Sequence, residues 1–374
     1  MARLGDIATY INGYAFKPSD WSDTGLPIIR IQDLTGNSYQ ANRYSGPYDK
    51  KYEVNYGDVL ISWSASLGVY VWSGEKSILN QHIFKVVFDK QAVNKSFFVH
   101  QVQSILENAA SQAHGATMKH LTKPVFDSLP FYLPPMEQQQ HIAAVLDKIT
   151  DLISLRRQQL AKLDELVKAR FVGMFGTFPE NQKGWEVRTI RDVVDDVRYG
   201  SSRPAVDGGA YPYLRMNNIT YSGELDLTDI KQIDVPEKEL PKCTIRRGDV
   251  LFNRTNSKEL VGKTCVYDRD EMMVLAGFVV RIRVNDRVLP EFLSSFLNTD
   301  FSKKLLFEMC KAAIGQANIN AQEMQNIGLY IPPIELQRQF VEFREKVGKS
   351  KLTIQQSLDK LEMLKKALMQ EYFG

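Results

Sequence analysis

Cysteine is scarce in this 374-residue chain: Cys243, Cys265 and Cys310 are scattered through its second half, and no two form a Cys-x-x-Cys pair. That excludes a thiolate zinc module and a disulfide framework, and it fits a protein kept in a reducing cytoplasm. The five histidines, His82, His100, His114, His120 and His141, show no metal-ligand spacing with cysteines or carboxylates, so no metal site is expected. Long apolar runs are missing too. The longest, near residues 272–280, is far short of the roughly 20 residues that a spanning helix needs, and Met1-Ala2-Arg3-Leu4-Gly5-Asp6 has no apolar signal core.

Neither sign of charge dominates, with 47 Lys and Arg against 44 Asp and Glu for a net +3. A chain of this balance does not bind nucleic acid by bulk charge alone. The glycine loops that cradle nucleotide phosphates, Gly-x-Gly-x-x-Gly and Gly-x-x-x-x-Gly-Lys-Ser/Thr, do not occur. Neither does the Asn/Asp-Pro-Pro-Tyr/Phe tetrad with which amino-methyltransferases grip an exocyclic amine. Asp49-Lys50-Lys51 matches half of a nuclease site, but no partner carboxylate accompanies it. The expectation is a protein without catalytic residues of its own.

What the chain does have is a copy of itself. Leu-Pro-Phe-Tyr-Leu-Pro-Pro at residues 129–135 returns as Ile-Gly-Leu-Tyr-Ile-Pro-Pro at 327–333, 198 positions later. Tyr-Gly-Asp-Val-Leu-Ile at 56–61 returns as Arg-Gly-Asp-Val-Leu-Phe at 247–252, offset by 191. After each Pro-Pro a helical tract of about 40 residues runs ungapped to Phe-Gly, at Phe175-Gly176 and Phe373-Gly374. The offset changes between landmarks while the helical tracts keep their length, which suggests a fixed ruler carrying two heads with variable loops.

The fold class is α+β: two mixed α/β domains, each followed by a long helix. Short strands are expected at 27–31, 57–61, 69–72 and 83–88, then at 212–216, 249–252, 264–267 and 278–284, punctuated by Gly, Asn, Asp and Ser. Amphipathic helices are expected at 95–106 and 289–297. Proline ends a ladder and opens a helix, so the division falls at 1–135 (first domain), 136–176 (first long helix), 183–333 (second domain) and 334–374 (second long helix). The first helix carries an apolar stripe of Ile142, Leu146, Ile149, Ile153, Leu160, Leu163 and Val167, interrupted at Arg156; the second carries Phe340, Val347, Ile354, Leu358, Leu361, Leu364 and Leu368. Steps of mostly three and four make a coiled-coil seam, and the matched lengths imply that the two helices pair with each other.

Four loops recur at corresponding places in both halves with different residues. The first holds Tyr14 and Lys17, matched by Tyr199, Ser201 and Arg203. The second holds Arg30 and Gln32, matched by Arg215, Asn217 and Asn218. The third, after Gly-Asp-Val-Leu, holds Ser62, Trp63 and Ser64, matched by Asn253, Arg254, Asn256 and Lys258. The fourth holds His114, Thr117 and Lys119, matched by Gln316 and Asn318. Arg, Lys, Asn, Gln and Ser are the side chains that bond base edges and phosphates, so one scaffold with two sets of readers would recognise two different short DNA sequences.

The order Leu-Gly-Asp-Ile, Gly-Asp-Val-Leu, polar loop, Leu-Pro-Pro-x-x-Glu-Gln-x-x-Ile-Ala and long helix, occurring twice, resembles the type I restriction–modification specificity subunits. Pro134-Pro135-Met136-Glu137-Gln138-Gln139-Gln140-His141-Ile142-Ala143 carries the motif well; Pro332-Pro333-Ile334-Glu335-Leu336-Gln337-Arg338-Gln339-Phe340 is looser, with Leu336 where the first copy has the glutamine Gln138. The resemblance spans essentially the whole chain. It implies two target recognition domains, each reading half of a split, asymmetric site in double-stranded DNA. It also implies an antiparallel coiled coil that sets the gap and docks two DNA adenine methyltransferase (modification) subunits, which restriction motor-nuclease subunits join. S-adenosylmethionine, ATP and Mg would belong to those partners, with no cofactor on this chain and no membrane contact. A gap of about 5–8 base pairs is expected if the heads sit about one helical turn apart, and a heptad added to one helix is expected to change that gap alone. The alternatives are a coiled-coil adaptor whose globular heads bind other proteins, and a stand-alone methyltransferase or nuclease with degenerate motifs.

Overall fold

The computed structural model describes residues 1–36, 42–112, 122–310 and 317–374. The chain divides into two compact units, residues 1–156 with 357–374, and residues 157–356.

In the first unit, strands Thr9–Asn12, Ile83–Val87, Val59–Ser62 and Gly68–Val71 lie in that order as an antiparallel sheet. A second sheet runs Arg43–Tyr44, Leu26–Ile29, Ser77–Leu79 and Glu53–Val54, with Leu26–Ile29 parallel to Ser77–Leu79. The second unit repeats this plan strand for strand. Its antiparallel sheet is Val194–Tyr199, Val279–Val284, Val250–Asn253 and Thr264–Val266. Its mixed sheet is Lys231–Ile233, Tyr211–Leu214, Met273–Leu275 and Thr244–Ile245, again with one parallel pair. The Gly-Asp-Val-Leu landmark feeds an interior strand in each case, and Val59–Ser62 and Val250–Asn253 are buried at every residue. That explains their unbroken apolar runs, since only a strand covered on both faces dispenses with alternation.

A two-stranded ladder closes each domain just before its long helix. Ala2–Arg3 pairs with Pro130–Phe131, and Glu186–Thr189 pairs with Gly328–Ile331. The Pro-Pro that follows supplies no N–H for another rung, and helices of 40 residues begin at Met136 and Ile334, each about 60 Å long at 1.5 Å per residue. A buried glutamine on the first turn fixes each helix to its domain. Gln139 accepts from the Asn94 backbone N–H (2.9 Å) and donates to the Pro134 carbonyl (2.8 Å). Gln337 accepts from Leu289 N–H (2.8 Å) and donates to the carbonyls of Pro332 (2.8 Å) and Arg287 (3.1 Å).

Each unit takes pieces of both long helices, and within each the pieces run antiparallel. In the first unit Ile142, Ala143 and Leu146 share a core with Leu368, Met369, Tyr372 and Phe373, and Arg156 Nε donates to Ser357 Oγ at 3.2 Å. In the second, Phe171 and Phe175 pack on Phe340 (5.2 and 5.6 Å) and on Phe292 of the head, and Lys351 pairs with Asp164 at 2.6 Å. The seam follows the expected stripe except at Leu364, which is 48% exposed. There Leu361 and Lys365 are the half-buried residues, because a straight helix drifts about 20° per heptad away from a strict seven-residue repeat. Arg156, which interrupts the stripe, remains half-buried through its bond to Ser357.

Candidate nucleic-acid interface

In the first domain the loop after Thr9–Asn12 runs hard against the segment after Ser77–Leu79. A Cβ on Gly13 would lie 2.0 Å from the Asn80 carbonyl oxygen, so this close approach admits only glycine. Tyr14 N–H donates to Leu79 O and Gln81 N–H to Tyr14 O, both at 2.8 Å. With its backbone held on both sides, Tyr14 presents a ring that is 43% exposed; Lys17 follows, also exposed. Trp63 is half-buried, stacked on Phe84 at 5.6 Å, with Nε1 donating to Asn12 Oδ1 at 3.2 Å. Gln32 belongs to a one-turn helix, Ile31–Leu34, and Arg30 is its N-cap residue, with Asp33 Oδ2 accepting from Arg30 N–H at 2.7 Å.

The second domain builds the same corner from other residues. Gly200 is equally obligatory, a Cβ there falling 2.2 Å from the Leu275 carbonyl oxygen. Tyr199 accepts at its hydroxyl from Ala321 N–H (2.9 Å), and the Arg254 guanidinium lies 5.0 Å over its ring. Arg254 is itself fixed by its backbone, donating to Phe278 O (3.0 Å) and accepting from Ile319 N–H (2.9 Å). Thr255–Asn256 pairs with Ala317–Asn318, and Thr255 Oγ1 donates to Asn318 Oδ1 at 2.9 Å. Tyr199, Arg254, Asn256 and Asn318 are thereby drawn together around a ring-stacked arginine. Lys258 reaches 4.1 Å over the Phe307 ring.

Not every loop residue faces outward. Ser62, Ser64, Ser201, Asn218 and Asn253 are buried, which removes their side chains from the exposed surface on which base contact depends. The cause is local. Ser62 donates to Ser64 O (3.2 Å). Asn218 caps its short helix by accepting from Arg215 N–H (2.9 Å), as Asp33 does in the first domain, and donates to Asp226 O (2.8 Å). Asn253 ends a strand that is enclosed throughout. Two arginines are already neutralised: Arg203 binds Glu239 at 2.8 Å and Arg215 binds Asp229 at 2.8 Å, and the Arg203 hydrogen bond holds the Glu239 carboxyl below its usual range. Asn217 is exposed. His114, Thr117, Lys119 and Gln316 lie outside the described residues.

Asp49 and Lys51, the half-match to a nuclease site, pair with each other at 2.9 Å, and Asp49 caps a single 3-10 turn. Among the described residues no three His, Cys, Asp or Glu side chains gather as metal ligands, and no helix is long and apolar enough to cross a membrane. Three surface residues escaped the sequence reading. Phe278, 52% exposed beside Arg254, was hidden in a strand pattern. Tyr44 and Tyr52 flank the Tyr14 loop, and their regular spacing with Tyr48 was visible in the sequence.

Fold and site together define a duplicated two-headed α+β protein, with one scaffold bearing two different sets of loop residues on an antiparallel helix pair. The family model described as the type I restriction modification DNA specificity domain matches residues 1–165 and again 182–363, and the chain belongs to that family. It is 24% identical to the type I restriction enzyme EcoBI specificity subunit of Escherichia coli, over 90% of this chain and 77% of that one. It is also 24% identical to the type I restriction enzyme MjaVIII specificity subunit of Methanocaldococcus jannaschii, over 99% and 90%. Among solved structures, the type I restriction–modification S subunit from M. genitalium shares the fold at a TM-score of 0.52 and 13% identity, covering 100% of this chain and 95% of that one.

Proposed function

We propose that this chain is the DNA sequence-specificity subunit of a type I restriction–modification complex. Each domain reads one half of a bipartite, asymmetric site, and the chain performs no catalysis. The reading is carried by one observation: the two domains share strand order and glycine-pinned corners while differing at matched loop positions. Duplicated scaffolds with diverged readers give two unlike half-sites rather than a palindrome.

In the first domain the readers are Tyr14, Lys17, Arg30, Gln32 and Trp63, with His114, Thr117 and Lys119 on the fourth loop. In the second they are Tyr199, Asn217, Arg254, Asn256, Lys258, Gln316 and Asn318, while Arg203 and Arg215 would act after exchanging their carboxylates for phosphate or base. Arginine held over an aromatic ring keeps its planar donors pre-organised for a guanine edge. The mild net charge means that partners must contribute phosphate contacts, as expected when two DNA adenine methyltransferase subunits dock on the helix pair and restriction motor-nuclease subunits join them. S-adenosylmethionine, ATP and Mg are theirs. The half-sites are separated by about 5–8 base pairs.

The test is single-molecule methylome sequencing of cells expressing this chain with its neighbouring methyltransferase, against cells lacking it. A new split motif with methyladenine on both strands is expected. Unchanged methylation, with the same methyltransferase active beside another specificity subunit, would overturn the proposal in favour of a protein-binding adaptor.

A further inference from the structure

The corner that carries Tyr14 opens into a surface concavity of about 350 Å³ walled by Tyr14, Tyr44, Tyr48 and Tyr52, at the small end of the range of ligand sites. Its rings brace one another: Tyr14 meets Tyr52 at 5.8 Å and Phe16 at 4.8 Å, and Phe16 meets Tyr44 at 5.0 Å. Two hydroxyls are already committed, that of Tyr44 donating to Pro47 O (3.0 Å) and that of Tyr48 to Glu53 Oε1 (2.9 Å). What the walls offer is therefore chiefly ring surface. Lys51, 4.9 Å over the Tyr52 ring, and Asp49, its ion-pair partner at 2.9 Å, sit on the rim. A flat ring stacks on that π-wall, and a phosphate attached to it pairs with Lys51 by taking the place of the Asp49 carboxylate.

The second domain sets different residues at the matched place. Strand register aligns Glu53 with Thr244, both facing the strand that runs parallel to the early one, and the isolated bridges align Tyr14 with Ser201. Counting back, Tyr52 corresponds to Cys243 and Tyr48 to Glu239. There the Arg203–Glu239 ion pair stands where the first domain has tyrosine, and Cys243 is buried.

We propose that the Tyr14–Tyr44–Tyr48–Tyr52 concavity is a stacking site for one unstacked DNA base, with Lys51 meeting its phosphate, and that it belongs to the first domain alone. The inference rests on the DNA-reading proposal and deepens it: this domain engages a nucleotide outside the regular duplex stack as well as base edges within it. Stacking a base on an aromatic side chain is sequence-tolerant, and loss of such a ring weakens binding roughly ten-fold.

The test titrates the full chain with a short single-stranded oligothymidylate bearing one 2-aminopurine, whose fluorescence falls on stacking. Wild type is expected to bind and quench. Tyr52→Leu should lose the quenching and bind about ten-fold more weakly, while Tyr52→Phe keeps both. Lys51→Glu, an exposed change that leaves the fold alone, should weaken binding several-fold. The proposal is overturned if wild type does not quench, if Tyr52→Leu quenches as wild type does, if Tyr52→Phe loses as much as Tyr52→Leu, or if Lys51→Glu changes nothing. Methylome mapping separates the two failures: a split motif without oligonucleotide quenching removes only the stacking site, and quenching without methylation removes only the specificity-subunit reading.

Discussion

Lengthening the helix pair by one heptad should move the half-sites apart without changing either of them, provided both helices are lengthened. The natural place is where Arg156 faces Ser357, with seven residues inserted after Arg156 and seven after Gln356. Seven residues add about 10.5 Å of rise, and duplex DNA advances 3.4 Å per base pair, so the gap grows by at most about three base pairs. Fewer are expected, because each added pair also turns the second half-site by about 35° around the duplex, whereas a heptad turns the helix pair by only about 20°. Insertion into one helix alone is a different perturbation. Each unit is built from ends of both helices, so a lone heptad unseats either Phe171 and Phe175 from Phe340 and Phe292, or Leu368 and Phe373 from the core around Ile142 and Leu146. At roughly 1.5–3 kcal/mol for each large buried side chain, losing Phe171 and Phe175 costs about 3–6 kcal/mol, a large part of a domain's stability. The expectation that a single-helix heptad changes only the gap therefore gives way to one that requires both. Methylome mapping of the doubly lengthened chain reads the gap directly, and thermal melting reads the cost of the single insertion. An unchanged gap in a folded double variant, or altered half-sites, would refute the ruler.

Arg254→Ala should cost the second half-site about 1–3 kcal/mol and leave the first intact, so the mapped motif becomes degenerate at a position in one half only; an unchanged motif would remove Arg254 from base reading. Gln337→Leu strands Leu289 N–H and the carbonyls of Arg287 and Pro332 in a buried site. A loss of roughly 3 kcal/mol in urea unfolding is expected, against under about 0.5 for an exposed change such as Arg338→Ala; equal effects would deny the glutamine its anchoring role. Lys303 concerns pH. Burial, then the nearby Lys168 and Lys263, push its pKa down from 10.5 to about 7. The unfolded chain keeps that proton up to about 10.5 while the folded chain has released it above 7, so this group makes stability rise with pH between those values and adds no slope below them. Lys303→Met should remove that component, and melts at pH 7 and pH 9 with the same slope in both proteins would count against it.

How much of this was legible beforehand depends on how local the determining physics is. The long helices were plain, because Pro-Pro fixes their start and the stripe fixes their face. Each expected strand forms within a residue or two, 83–88 as Ile83–Val87 and 264–267 as Thr264–Val266, but others in the same sheets, such as Thr9–Asn12 and Val194–Tyr199, were not expected. Ser77–Leu79 and Met273–Leu275 were missed because three fully buried residues leave no alternation to detect. Asp300–Met309 was missed although Thr299 caps it by accepting from Ser302 N–H, a signal present in the letters. The loops proposed to read DNA were locatable because they follow duplicated landmarks, but not which side chains face outward. Ser62 and Asn253 look like loop polars, yet they are the last residues of strands enclosed on both faces. Asn218 looks like a base reader, yet it repeats the capping bond of Asp33. The duplication itself held the cure. At Gln139 and Gln337, and at Gly13 and Gly200, both copies keep the residue and the structure shows a scaffold role. Tyr199 and Arg254, which stand opposite Asn12 and Trp63, meet in the second domain as a stacked pair. Divergence between the copies, more than polarity, is thus the mark of the surface proposed to give each domain its own specificity.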